Sequence, residues 1–160
     1  MIDVSDPTAV RFTATEGLSD TTAGAGNATT LAGFLSNDPG TFASGFGITG
    51  DLTAAAQGQP LDGLRVADVD LAFLRGGGFN DGDYLQGTRA FTGSSVIDLS
   101  TFTLPDAGFS GFINVNSFGD GLTIGTYRVV AIPEPNSLVP LGLAWLAARR
   151  LKRSKRRLHA

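Results

Sequence analysis

Residues whose type and spacing could do chemistry are few in this chain. Gly45, Gly47 and Gly50 fit the pattern G-x-G-x-x-G, and Asp70 lies twenty residues beyond Gly50. In a dinucleotide site such glycines open a helix whose first amides meet the pyrophosphate. Here only residues 51–57 follow before Gly58 and Pro60 end any helix, so the run reads as a glycine-rich turn. Asp81 and Asp83 could offer carboxylates to calcium. An EF-hand loop needs further ligands and a closing Glu, and the calcium β-helix repeat needs glycine where Phe79 stands. Their stretch reads as a solvated hairpin loop, and Asp68 and Asp70, on one strand face, likewise read as a solvated outer face rather than a metal site.

Covalent catalysis is hard to assemble. The only histidine is His159, near the C-terminus, and residues 1–132 contain no His, Lys or Cys. Ser-His, Cys-His and lysine chemistries are therefore closed to this stretch. A pair of carboxylates of the glycosidase type stays formally open, but no spacing singles a pair out. No cofactor is implied. Asn27-Ala28-Thr29 matches the N-glycosylation triplet in a threonine-rich loop.

The last 28 residues are of a different material. Pro133-Glu134-Pro135 is followed by an apolar run over residues 138–148, including Leu138, Val139, Leu141, Leu143, Trp145 and Leu146. Arg149, Arg150, Lys152, Arg153, Lys155, Arg156 and Arg157 follow at once. Both prolines lack a ladder donor and stop a strand, leaving Glu134 in a stiff, extended junction. Eleven residues of helix span ~16 Å, short of a ~30 Å hydrocarbon core. The snorkelling stem of Arg149 extends that reach only a little. By the positive-inside rule the basic block stays cytoplasmic while the preceding body lies across the membrane.

Charge divides the chain at the same place. Residues 1–132 hold fourteen acids against five arginines, net −9; residues 133–160 hold seven basic residues against Glu134, net +6. An acidic body repels phosphates, which excludes nucleic acid as its partner. With no cysteine, disulfides and thiolate sites are excluded too.

The elements that carry these residues read as strands. Glycine is abundant (22 residues) and Glu and Lys are scarce before the tail, which disfavours helix. Residues 10–15 form a first strand and residues 17–30 a loop. A further strand covers residues 42–48 among turns. Residues 64–75 alternate as one strand: Ala67, Val69, Leu71 and Phe73 on one face, Val66, Asp68, Asp70 and Ala72 on the other. Residues 88–92, 95–102, 111–116 and 122–132 complete the set, separated by glycine-bearing turns. The expected fold class is all-β, an antiparallel sandwich or jelly-roll-like body over residues 1–132. A short apolar transmembrane helix and a basic tail follow.

The order of parts, Pro-Glu-Pro, apolar segment, Arg/Lys block, resembles a PEP-CTERM sorting signal over residues 132–160. That resemblance implies export in Gram-negative bacteria that make extracellular polysaccharide. There an exosortase, a membrane-embedded transpeptidase-like enzyme, recognises the tail and processes it near the PEP. Carried over, Pro133, Glu134 and Pro135 are recognition residues, residues 138–148 the membrane segment and residues 149–157 the retention stop. The chain is then a substrate: a non-enzymatic surface or biofilm-matrix protein, structural or adhesive. A carbohydrate- or calcium-binding module on the same tail, or a carboxylate-pair hydrolase, are the alternatives. The opening MIDVSDPTAVRF has neither a basic start nor an apolar run, so it is not an export signal. On this reading either the true start lies upstream of Met1 or the sequence is a fragment.

Overall fold

Residues 122–130 alternate apolar and polar side chains over 122–124 and again over 127–129, with one break between, and lead toward Pro133. In the computed structural model they form one of the two longest strands. The structure describes residues 1–24, 28–35, 43–44, 47–54, 59–75, 83–115 and 121–132. The strands are β1 (Ile2–Asp3), β2 (Val10–Thr13), β3 (Ala23–Gly24), β4 (Ala28–Leu31), β5 (Ala43–Ser44), β6 (Thr49–Gly50) and β7 (Thr53–Ala54). They continue with β8 (Gln59–Ala67), β9 (Asp70–Arg75), β10 (Asp83–Tyr84), β11 (Phe91–Thr92), β12 (Ser94–Ile97), β13 (Ser110–Val115) and β14 (Leu122–Val130). The body is all-β, as expected. Among the described residues the one helical element is a 3-10 turn at Pro7–Ala9, capped by the Asp6 side chain, and no helix is long and apolar enough to cross a membrane.

Twelve of the strands make one long sheet in the order β11-β7-β8-β9-β4-β13-β14-β1-β2-β12-β6, with β5 also on β8, while β3 and β10 pair as a separate two-stranded sheet. Its ladders are antiparallel except β1 on β14, where Ile2 faces Val129 and Asp3 faces Val130 in parallel. The sheet curls. Phe12 on β2 and Phe73 on β9 are five ladders apart along it, yet their rings meet edge to face at 5.2 Å. Phe34 joins them at 5.9 Å from Phe12 and touches Tyr127 on β14 at the same distance. Val10, Leu64, Val66, Leu71, Leu99 and Val129 are fully buried around these rings. Burying each such side chain contributes about 1.5–3 kcal/mol.

The two ends of the sheet are stitched together. Thr49 and Gly50 face Val96 and Ser95, and Thr53 and Ala54 face Thr92 and Phe91, in one continuous register. Yet β6 ends one side of the sheet and β7 reaches β8 on the other. One two-stranded ribbon therefore turns a corner and closes the curl. At the corner Asp51 N–H donates to Ser94 O at 2.9 Å, and Asp51 Oδ1 accepts from Ser94 N–H at 2.9 Å. Gly93 makes the bend with φ of 78°, and a Cβ there would stand 2.5 Å from the Asp51 carbonyl oxygen. The Thr-Gly-Ser stretch is thus a bend inside a ribbon, not a turn between separate strands.

Several expected boundaries shift. The alternating run 64–75 is a hairpin: β8 and β9 pair through Leu64↔Phe73, Val66↔Leu71 and Ala67↔Asp70, leaving Asp68-Val69 as the loop. Asp68 takes a φ of 57°, which Asp tolerates better than most residues. The expected loop 17–30 holds β3 and the central strand β4, whose four side chains are all buried. Within the expected strand 95–102, pairing ends at Ile97. In the expected strand 42–48, Ala43 and Ser44 pair with β8, while residues 42 and 45–46 lie outside the described set. The expected C-terminal helix lies outside it too.

Candidate functional site

The sequence candidates separate in space. Gly50 belongs to β6 and opens no helix, while Gly45 lies outside the described residues. Asp70 is taken up structurally: its Oδ1 accepts from Gly33 N–H at 2.7 Å, and Leu35 N–H donates to Val69 O at 2.8 Å. These bonds seat Phe34 in the core. Asp68 is exposed in the hairpin loop. Asp81 lies outside the described residues, and of Asp83 only the strand position in β10 is described. Among the described residues no three His, Cys, Asp or Glu side chains gather as a metal site. Asn27 lies outside the described residues. Thr29 is buried, with its hydroxyl 2.9 Å from the Tyr84 hydroxyl, so the third residue of the glycosylation triplet belongs to the core. Pro133, Glu134, Pro135, the apolar run and the basic block all lie outside the described residues.

What the structure adds is the footing of that tail. The described body ends at Ile132, where its N–H donates to Asp3 Oδ1 at 3.2 Å. The same oxygen accepts from Ser5 N–H at 3.0 Å and lies 2.6 Å from the Ser5 hydroxyl, which is also 2.9 Å from Ile132 O. One hydroxyl has one proton, so it serves these two acceptors in turn. Burial pushes the Asp3 carboxyl up, but the Ser5 and Ile132 donors and the charge of Arg11 outweigh it and hold the group below the usual range. Chain start and chain exit are thereby clasped, one residue before Pro133.

Behind the clasp Tyr127 anchors β14. It faces Gly111 across the ladder, and a Cβ on Gly111 would collide with its ring. Its hydroxyl donates to Ala32 O at 2.8 Å. Burial, then the charge of Asp70, raises its pKa far above the ordinary value of 10.

A cleft of about 320 Å³ opens elsewhere on the curl, lined by Thr15, Leu18, Asp20, Phe91, Ile113, Ile124, Gly125 and Thr126 among others. A smaller depression of about 70 Å³ shares Thr15, Phe91, Ile113 and Thr126 with it and reaches Phe12, Phe73 and Tyr127. The wall at Gly125 is shaped by a bulge, where the β13–β14 register shifts between Ile113 and Asn114. Arg89, on the ladder bridge to Leu18, is ion-paired with Glu16. Neither the clasp nor the cleft carries a signature in sequence order: Asp3 and Ile132 stand 129 positions apart.

No family model matches the chain, and no curated protein or solved structure was found to be similar to it.

Proposed function

We propose that this chain is an exported surface or extracellular-matrix protein. Its jelly-roll-like β body is delivered and processed through a PEP-CTERM-type tail. The observation that carries this reading is the tripartite order of Pro133-Glu134-Pro135, the apolar residues 138–148 and the basic residues 149–157. The apolar segment halts in the membrane, the basic block holds the cytoplasmic side, and an exosortase-like enzyme acts near the PEP. The clasp at Ile132 supports the reading. A cut beyond Ile132 removes the tail and leaves every described strand in place. The role of the body is structural or adhesive and non-enzymatic, in the cell envelope or biofilm.

The test is substitution at the junction in a host that makes such a processing enzyme. Glu134→Ala, combined with Pro133→Ala and Pro135→Ala, should leave full-length protein in the membrane, where the unaltered chain appears shortened in the medium. Equal processing of both would remove the PEP residues from the reading.

A further inference from the structure

The 320 Å³ cleft beside Gly125 has a composition that selects among ligands. Its outer lining carries the exposed hydroxyls of Thr15 and Thr126 and the exposed carboxylate of Asp20. Its apolar lining includes the half-buried Phe91 and Ile113, with the fully buried Ile124 behind them. Among the described residues no cation lines it, and the neighbouring Arg89 is already paired with Glu16, so its described wall repels an anion. One carboxylate is far from the six or more oxygens that calcium requires. A wholly apolar ligand would cover Asp20 and two hydroxyls without hydrogen-bonding them. A neutral ring with one C–H face and a hydroxyl-bearing edge satisfies all of these conditions. Such a ring would set its apolar face toward Phe91 and Ile113 and its hydroxyls toward Asp20, Thr15 and Thr126. The volume is at the small end of ligand sites and suits a single ring.

We infer that this cleft binds one neutral pyranose unit, held between the Phe91 side and the Asp20–Thr126 rim. The geometry stands independently of the tail. The choice of a sugar over other neutral polyols rests on the matrix reading proposed above. Gly125 supplies the means of testing it. Its φ is not in the left-handed region, and a Cβ there meets nothing within 4 Å. Gly125→Leu should therefore fold normally and fill the cleft.

The experiment titrates the full-length chain in detergent micelles with the methyl glycosides of glucose, galactose and N-acetylglucosamine, in parallel with a neutral glucan. Amide resonances are followed by NMR up to about 50 mM sugar, the range needed for one weakly held ring. The expected result is saturable shifts at Leu18, Asp20, Phe91, Gly125 and Thr126. Gly125→Leu should weaken binding at least tenfold, and Thr126→Val several-fold, at unchanged melting temperature. If the glucan saturates the same resonances at lower unit concentration, a polymer is the source; if the monosaccharide matches it, free sugars or chain ends are. Absence of saturable shifts with every probe, or a saturation midpoint unchanged in both variants, overturns the site. That failure beside a tail that is processed in the junction experiment leaves the delivery reading intact, while saturable binding beside a tail that the host never processes keeps the site and removes the delivery reading.

Discussion

Replacing Gly93 by alanine tests the closure of the curled sheet. Two costs add at this position. The backbone has φ of 78°, a left-handed conformation that costs an L-residue roughly 1–2 kcal/mol. The new Cβ would also stand 2.5 Å from Asp51 O and 2.7 Å from Asp51 Oδ1, contacts that force the ribbon apart. Such overpacking costs about 1–3 kcal/mol, and moving Asp51 also weakens its two bonds to Ser94. The sum is about 2–5 kcal/mol, a large share of the 5–15 kcal/mol typical of a domain. Two controls separate the parts. Gly108 has φ of 98° but nothing within 4 Å of a built Cβ, so Gly108→Ala should show the backbone cost alone. Gly125→Ala has neither cost and should be neutral or stabilising by up to about 1 kcal/mol. Urea unfolding reads all three, with the midpoint moving and the slope unchanged. A Gly93→Ala variant no less stable than Gly108→Ala would mean that Asp51 does not lie against the bend, and the sheet would not be closed at that corner.

Three further outcomes follow from the hydrogen bonds and turns. Tyr127→Phe should cost about 1–2 kcal/mol through the lost bond to Ala32 O. The raised tyrosine pKa also gives stability that is whole below pH ~10 and falls above it by up to about 1.4 kcal/mol per pH unit; the variant should lack that alkaline slope in pH-dependent melts. Asp3→Ala should speed hydrogen exchange at the Ile132 amide about fivefold, for a bond of ~1 kcal/mol at an exposed site. Because the Asp3 carboxyl is lowered, the clasp's stability is full above the ordinary carboxylate pKa near 4 and fades as pH falls through the lowered value. Unchanged exchange at Ile132 would remove the clasp. Asp68→Val should destabilise by about 1–2 kcal/mol in thermal melts, while Asp68→Gly should stay within about 1 kcal/mol of the parent, since only the branched residue resists φ of 57°.

Much of the strand set was legible because burial imposes a period of two. The segments 110–115 and 122–130 lie within a residue or two of where alternation puts them. The hairpin at Asp68-Val69 was not legible. No Gly, Pro or Asn marks it, and the apolar alternation runs through the loop from Ala67 to Phe73. Strand β4 was hidden for another reason. Its Ala-Thr-Thr-Leu sequence looks like loop material, yet Tyr84 satisfies Thr29 and neighbours on both sides bury the rest. The bend at Gly93 mimicked a hairpin turn because a glycine is needed in both. The clasp and the cleft join residues from distant parts of the chain, so neither local composition nor spacing could signal them. The tail is the opposite case: on the proposed reading a junction, an apolar segment and a basic stop act in series along the chain, so that reading comes from sequence order alone.

The most direct measurement is the intact mass of the protein recovered from the envelope and medium of a native host. A species whose C-terminus falls at or shortly after residues 133–135 is predicted, carrying the whole described body through Ile132 and lacking the basic block. A full-length Met1–Ala160 species confined to the cytoplasm would contradict export and processing through this tail.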